Sequence, residues 1–295
     1  MKKQFLRTYD SFNYLFYSYY LKKNKIDQSK LLILGTIPRS GTHLMKFLFS
    51  NYINLLNNGL DSKAIKPNEM NEFFPNNYQY SYFNLKARSR PNKMYVKNIK
   101  KPTPMLRKIG LDDLTRSHAY FQEVYWKNSP VLHTYRNPLD YSVSMYHYMF
   151  KKRNSNLDIN SAMDVFEMYK EYYIGTYLSY VHASSQAKFK LLRVPYEQLM
   201  NNKENSFAII LHWLGLEPND HYVEEACKRS SINKVVKLEN VSQSKINPEA
   251  SLQKGSFINN GGVGQWKEYF SSSDIVSVEK SLNKKNISLD DFDIG

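Results

Sequence analysis

The feature that most constrains the fold of this chain is an apolar run followed at once by a polar turn and a helical pattern. Residues Leu31–Thr36 (LLILGT) are apolar or small throughout, which is typical of a parallel strand buried on both faces. The turn PRSGT follows at residues 38–42. Apolar residues then recur at helical spacing, at Leu44, Phe47, Leu48, Tyr52 and Leu55. The sequence therefore predicts a strand, a tight turn and a helix.

The same order recurs further along the chain. Residues 130–135 (PVLHTY) predict a second strand, and Pro138 suits the first position of the helix that follows. Residues 188–194 (KFKLLRV) predict a third strand. Because strands alternate with helices, we expect an α/β fold with a central, mainly parallel sheet flanked by helices.

The 295 residues contain no internal repeat and no Pro/Gly-rich linker long enough to divide them, so we expect one domain over residues 1–295. Residues 1–30 are expected to form a helical segment packed on it. The apolar stretch 12–21 is too short and too polar to span a bilayer, which needs about 20 apolar residues. A peripheral membrane contact is the alternative. Residues 57–104, rich in Asn, Pro and Tyr, predict a long loop region.

Charge favours an anionic partner. The chain has 41 Lys and Arg against 27 Asp and Glu, a net charge of +14. A phosphorylated nucleotide, an acidic glycan and nucleic acid all fit this charge. The single Cys227 excludes an intramolecular disulfide and a multi-cysteine zinc site, and it agrees with a reducing compartment. We therefore expect a cytoplasmic protein without an integral membrane span.

The turn after the first strand has the residues of a phosphate-binding loop. Gly41 allows close approach of the backbone, Ser40 and Thr42 offer hydroxyl groups, and Arg39 is a cation. The start of a helix favours an anion. The GxxxxGK[ST] loop of nucleoside triphosphatases does not occur here. The alternative is an ordinary turn whose hydroxyl groups cap the helix.

Arg136 and Ser144 form a second candidate anion site. Arg136 follows the second predicted strand, and Ser144 lies eight residues further on, about two helical turns later and on nearly the same face. Two anion sites at neighbouring strand ends predict a ligand with two separate phosphates. Adenosine 3′,5′-bisphosphate (PAP) is such a ligand.

Four segments resemble, in order, the motifs of sulfotransferases that use 3′-phosphoadenosine 5′-phosphosulfate (PAPS). They are TIPRSGTHL at 36–44, similar to the 5′-phosphosulfate loop T-x-P-[KR]-S-G-T; YRNPLDYSVSMYHYM at 135–149, similar to the 3′-phosphate motif; PYEQL at 195–199; and GGVGQWKEYF at 261–270. The resemblance implies a P-loop-kinase-like sulfotransferase fold. It also implies metal-independent, in-line transfer of a sulfuryl group from PAPS to an acceptor hydroxyl or amine, with PAP as the product.

The resemblance assigns roles to individual residues. The cofactor-binding set that it implies is Arg39, Ser40, Gly41, Thr42, His43, Arg136, Ser144, Tyr196, Ser231, Asn259, Asn260 and Gly261. The residues from 39 to 43 would surround the 5′-phosphosulfate, and Arg39 would neutralise the bridging oxygen as its bond to sulfur breaks. Arg136 and Ser144 would hold the 3′-phosphate, and Tyr196 would contact the adenine.

The resemblance also implies a catalytic base. The segment TRSHAYF at 115–121 is similar to the family's K-T-H-x-P segment. His118 would accept the acceptor's proton, and Arg116 would assist the transferring sulfuryl group. A competing segment, YVKNI at 95–99, has the Lys but no His. His43, His133 and His147 are weaker candidates for the base.

Several positions depart from the family pattern. Asn259 and Asn260 stand where the family has Arg-Lys, and Gln265 replaces an Asp. Leu44 and Ile232 replace aromatic rings. We expect weaker adenine binding unless Lys254 compensates; charge-assisted hydrogen bonds are about twice as strong as neutral ones.

Other functions and acceptors stay open. A P-loop nucleotide kinase, which needs Mg²⁺ and GK[ST], is one alternative. A basic binding protein and a family member without catalysis are the others, although no nucleic-acid motif is present. The basic clusters favour an anionic or glycan acceptor, whereas the Tyr- and Phe-rich segment 73–83 equally suits a phenol or a lipid-like alcohol. A homodimer is also left open.

Overall fold

The computed structural model describes residues 18–19, 21–23, 25–67, 69–70, 78–80, 95–96, 104–152, 159–242 and 261–292. The strands are β1 Leu31–Thr36, β2 Tyr78–Tyr80, β3 Tyr95–Val96, β4 Asp113–Ser117, β5 Val131–Tyr135 and β6 Leu191–Pro195. In these described parts of the chain they form one sheet in the order β3-β2-β4-β1-β5-β6. The β2–β3 pair is antiparallel and the other pairs are parallel. The predicted α/β class with a mainly parallel sheet is confirmed.

Helices cover both faces of this sheet. They are α1 Thr42–Asn58, α2 Glu123–Trp126, α3 Pro138–Lys152, α4 Ala162–Ser184, α5 Tyr196–Asn201, α6 Lys203–Leu214, α7 Asp220–Arg229, α8 Ile232–Ser242 and α9 Ser272–Asn283. Short 3-10 helices lie at Gln28–Lys30, Pro104–Ile109, Gln265–Glu268 and Leu289–Phe292. None of the helices in the described ranges is both long enough and apolar enough to cross a bilayer.

The alternation of side chains along β1 explains the two layers of helices. Leu32 and Leu34 pack in a cluster that contains α1, α6 and α7. Leu31 and Ile33 point to the other face and pack with Tyr180 of α4. All six residues of β1 are buried. The strand is therefore central, as its continuous apolar run predicts, and its carboxyl end opens into the loop before α1.

The region predicted as a long loop, residues 57–104, contains two short strands, so that prediction is wrong in part. β2 pairs with β4, where Gln79 lies opposite Arg116 and Tyr80 opposite Ser117, and β3 pairs with β2. Strands of two and three residues are too short to show a periodicity, and they form because an existing sheet edge offers hydrogen bonds. The Asn-rich composition of residues 57–104 gives no indication of these two strands.

β4 was not predicted from the sequence either. It has the sequence DLTRS, yet Asp113, Thr115 and Ser117 are 0–2% exposed in the middle of the sheet. A polar strand escapes a search for apolar runs, and its position depends on pairing with β1 and β2. The extent of the domain over residues 1–295, with residues 1–30 packed on it, stays a prediction, since residues 1–17 lie outside the described ranges.

Candidate functional site

The loop between β1 and α1 has the backbone of an anion-binding turn. Gly41, at the start of α1, has a φ of +90°, and a Cβ there would lie 2.9 Å from Cδ2 of Tyr196. Arg39 also has a positive φ, +66°. The hydroxyl group of Ser40 is fully buried and, within the described residues, has no hydrogen-bond partner. A buried hydroxyl of this kind fits a ligand that brings its own acceptor.

Arg39 reaches from this loop toward α3. Its Nε donates a hydrogen bond of 3.1 Å to Oγ of Ser144, and its guanidinium lies 5.2 Å from the ring centre of Tyr148. Burial, and then the charge of Arg136, lower the pKa of Arg39 to about 10, so it remains a cation at neutral pH. Ser144 therefore contacts Arg39, whereas the sequence paired Ser144 with Arg136.

Arg136 lies beneath the same loop and is 3% exposed. Its Nη1 donates to the backbone oxygen of Arg39 at 3.4 Å, and its Nη2 donates to that of Gly262. The guanidinium lies 4.6 Å from the ring centre of Tyr196. Among the described residues, its Nε has no hydrogen-bond partner. The two predicted anion sites are therefore one continuous surface that joins the loop, β5 and residues 261–264.

Asp140 anchors the C-terminal glycine segment to this surface. Its carboxylate accepts hydrogen bonds from the backbone N–H of Gly264 at 2.7 Å and of Trp266 at 3.0 Å. Tyr196 adds a third link, because its hydroxyl donates to the backbone oxygen of Gly261 at 2.8 Å. The sequence alone predicts no role for Asp140, although this residue lies inside the motif at 135–149.

Replacing Asp140 with alanine is expected to release this segment. Removing the acceptor of two partly buried N–H groups costs about 1–3 kcal/mol. Hydrogen exchange at the amides of Gly264 and Trp266 should therefore become about 5- to 100-fold faster, at about tenfold per 1.4 kcal/mol. The matched control is Asp164→Ala, which removes the capping carboxylate of α4. Equal exchange at Gly264 in both variants would contradict the anchoring role.

His118 lies directly after β4, at the same edge of the sheet. Its Nδ1 lies 2.8 Å from the backbone oxygen of Thr36 and 3.0 Å from the Thr36 hydroxyl. Because a carbonyl oxygen only accepts, the proton sits on Nδ1, which leaves Nε2 as the proton acceptor. The Thr36 hydroxyl is also 2.7 Å from that of Thr42, which links the ring to the start of α1. Tyr172 donates to the backbone oxygen of His118.

The surroundings of His118 keep its ring neutral. Burial is the main cause that lowers its pKa to about 4, and the charge of Arg116 lowers the pKa further. The ring is therefore an unprotonated base at neutral pH.

The weaker histidine candidates lie in different surroundings. His133 is fully buried in β5, where it stacks on Tyr180 with ring centres 3.7 Å apart and its Nδ1 contacts the backbone oxygen of Gly35 at 2.6 Å. Burial lowers its pKa to about 3, so it is a neutral core residue. His147 contacts the hydroxyl of Tyr269 on the outer side of α3. His43 is next to the loop, and burial, followed by the charge of Lys46, lowers its pKa well below the usual value.

The other predicted residues are placed as follows. Ser231 directly precedes α8 and is half-buried, and a Cβ at Gly261 would lie 2.3 Å from Cδ1 of Ile232. The side chain of Gln265 lies against Gly262. Asn259, Asn260, Lys254 and residues 97–99 lie outside the described residues. Within the described ranges, no group of three or more His, Cys, Asp and Glu side chains could hold a metal ion.

Comparisons with known proteins identify the family. A family model described as the sulfotransferase domain matches residues 29–288. The chain belongs to the sulfotransferase domain family, and the predicted family is confirmed.

Curated relatives are distant. The chain is 23% identical to a 3-beta-hydroxysteroid sulfotransferase of Cavia porcellus over 177 residues, which cover 57% of this chain and 60% of the relative. It is 26% identical to cytosolic sulfotransferase 5 of Arabidopsis thaliana over 182 residues, 57% of this chain and 56% of the relative. The alignments thus span less than two thirds of these relatives.

Solved structures share the fold over a longer stretch. A retinol dehydratase in complex with androsterone and the inactive cofactor PAP matches with a TM-score of 0.62 at 16% identity, covering 94% of this chain and 87% of that one. A mouse sulfotransferase in complex with PAP matches with a TM-score of 0.54 at 16% identity, covering 88% and 85%. The chain therefore has the sulfotransferase fold.

Proposed function

We propose that this chain transfers a sulfuryl group from PAPS to a hydroxyl or amine of a small-molecule, glycan or lipid-like acceptor. The observation that carries the proposal is the common edge formed by the loop 37–41, Arg136 and His118. At this edge we propose two anion-binding positions beside a neutral base. Two solved neighbours were crystallised with PAP, which supports the same nucleotide here.

The residues present fit the nucleotide. The buried Ser40 hydroxyl and Nε of Arg136 can both donate hydrogen bonds to a ligand, and Gly41 leaves room for the ring of Tyr196 beside the loop. We propose that Ser40, Thr42, His43 and the loop N–H groups hold the 5′-phosphosulfate, and that Arg136, Ser144 and Ser231 hold the 3′-phosphate. Tyr196, Gly261, Asn259 and Asn260 would complete the nucleotide site.

Each step of the transfer has a candidate residue. PAPS supplies the sulfuryl group, and PAP leaves with the electrons of the broken bridging S–O bond. Nε2 of His118 takes the proton of the attacking hydroxyl. Arg116 stabilises the sulfuryl oxygens, and Arg39 stabilises the leaving phosphate, because a fixed cation is most effective where negative charge develops. These residue roles do not require a metal ion.

Arg39 has to turn for this role. It now donates to Ser144, and the Ser144 hydroxyl would then be released to the 3′-phosphate.

Two of the matched relatives are named cytosolic sulfotransferases, which supports a cytosolic location. Others are named hydroxysteroid sulfotransferases, which supports a small-molecule alcohol as acceptor.

The proposal is tested with two measurements on the full chain. PAP should raise the melting temperature, whereas ATP with Mg²⁺ should not. Labelled sulfate from PAPS should then appear on a member of an acceptor panel of phenols, alcohols, amines and sugars. Stabilisation by ATP with Mg²⁺ alone would indicate a kinase instead. Stabilisation by PAP without transfer to any acceptor would indicate a binding protein that has lost catalysis.

A further inference from the structure

Asn51 is a fully buried amide on α1 that has no role in the transfer chemistry above. Its side-chain nitrogen donates hydrogen bonds to the backbone oxygen of Phe47 at 3.0 Å and to Oγ of Ser230 at 3.1 Å. Its side-chain oxygen accepts the backbone N–H of Ile65 at 3.0 Å. The first bond stays within α1, whereas the partners of the other two lie 179 and 14 residues away in the chain. Asn51 therefore joins α1 to two other segments.

Ser230 directly follows α7, and the turn 230–232 that it begins borders the proposed nucleotide site. Ser230 is 2% exposed, so its hydroxyl lies in the interior of the protein. Ile232, the first residue of α8, is so near Gly261 that a Cβ on this glycine would lie 2.3 Å from Cδ1 of the isoleucine. The hydroxyl of Tyr196 donates to the backbone oxygen of Gly261. The turn therefore lies on the same side of the site as Tyr196 and Gly261.

α1 supports both ends of the proposed nucleotide site. It begins directly after the loop 37–41, which is proposed to hold the 5′-phosphosulfate. Asn51 lies on the same helix, ~14 Å further along its axis than Thr42 at 1.5 Å per residue. There it holds the turn 230–232, which carries Ser231, one of the residues proposed for the 3′-phosphate. A single rigid helix thus sets the distance between the two phosphate-binding regions.

The hydrogen bond between Asn51 and Ser230 has a consequence for nucleotide affinity. A buried polar group that loses its partner costs free energy, so without the amide the hydroxyl of Ser230 would have to find water or another partner. The turn 230–232 would then leave its present position for part of the time. A nucleotide that binds would have to order the turn again, and this ordering would lower its affinity.

We propose that Asn51 is a positioning residue of the nucleotide site. Through its hydrogen bond to Ser230, it keeps the turn 230–232 in the position that receives the end of PAPS and PAP that carries the 3′-phosphate. The inference rests on the proposed function and adds a residue that lies outside the four motifs.

Calorimetric titration of the full chain with PAP tests the inference. Asn51→Ala should raise the Kd for PAP about 3- to 10-fold, which is the effect of one net hydrogen bond. The matched control is Asn54→Ala, which removes another buried amide of α1, one that donates to the backbone oxygen of Lys63 at 2.9 Å. This control should bind PAP as the wild type does. With an acceptor, Asn51→Ala should raise the KM for PAPS by the same factor and leave kcat unchanged.

A double-mutant cycle tests whether Asn51 acts through Ser230. Ser230→Ala should raise the Kd for PAP by a similar factor. The double variant should bind PAP no more weakly than either single variant, because two residues that act through one hydrogen bond are not additive.

Each outcome decides the inference. Wild-type affinity in Asn51→Ala, an equal loss in Asn54→Ala, or losses that multiply in the double variant would overturn it. If a melting curve shows that Asn51→Ala does not fold, the smaller change Ser230→Ala decides: a 3- to 10-fold loss of affinity supports the inference, and wild-type affinity overturns it. A wild-type chain that does not bind PAP defeats the proposed function and this inference with it. PAP binding without sulfuryl transfer defeats the proposed function alone, and the titrations still decide the role of Asn51.

Discussion

Replacing His118 with alanine is expected to lower kcat for sulfuryl transfer ~10²–10⁴-fold, which is what a positioned general base usually contributes. The affinity for PAP should change little, because the ring is held by Thr36 and makes none of the contacts proposed for the two phosphates. Initial rates with labelled PAPS and calorimetric titration with PAP measure the two effects separately. His147→Ala, on the outer side of α3, is the matched control and should keep full activity.

The pH dependence of the wild type tests the same assignment. Since burial depresses the pKa of His118 to about 4, the ring stays a free base as the pH falls from 8 to about 5. The value of kcat/KM for PAPS should therefore be nearly the same at pH 5.5 and 7.5. A histidine with the usual pKa of about 6.5 would be about 90% protonated at pH 5.5. A tenfold loss at that pH, or full activity of His118→Ala, would move the base elsewhere.

Replacing Arg136 with alanine is expected to weaken PAP binding ~10–100-fold. A hydrogen bond to a charged group is worth about 1.5–3 kcal/mol, and each 1.4 kcal/mol is about tenfold in affinity. Arg136 also donates to the backbone oxygens of Arg39 and Gly262. The variant should therefore lose contacts that hold the loop 37–41 and the segment 261–264 in place. Titration with PAP, and a melting curve without ligand, separate the loss of binding from a loss of folding.

Two variants sharpen this measurement. Arg107→Ala removes an exposed arginine and should leave the affinity for PAP unchanged. Arg136→Lys keeps the charge but loses the fork of N–H donors, so its affinity should lie between those of the wild type and Arg136→Ala. Wild-type affinity in Arg136→Ala would show that the 3′-phosphate binds elsewhere.

The central strands and the loop were predictable because each leaves a local signature. β1 is a continuous apolar run, β5 has the same character, and Pro138 begins α3 as expected. Gly41 in the left-handed region is the conformation that the turn PRSGT requires. These features depend on neighbouring residues in the sequence, which is why a reading of the sequence finds them.

The features that were missed depend on residues far apart in the chain. β4 is a polar strand that exists because β1 and β2 flank it. Asp140 contacts amides more than 120 residues away, and Thr36 contacts a histidine 82 residues away. Arg39 was placed at the 5′ end of the ligand, yet it donates to Ser144 on α3. The eight-residue spacing predicts that Arg136 and Ser144 share a face. It does not predict which arginine donates a hydrogen bond to Ser144.

Loop 37–41, Arg136 and His118 lie at one edge of the sheet, and the proposed function requires that a single nucleotide occupies this edge. A crystal structure of the chain with bound PAP tests this most directly. We expect the 5′-phosphate within hydrogen-bond distance of Ser40 and Thr42, and the 3′-phosphate on Arg136. A nucleotide bound away from the loop 37–41, or with only one phosphate on this edge, would contradict it.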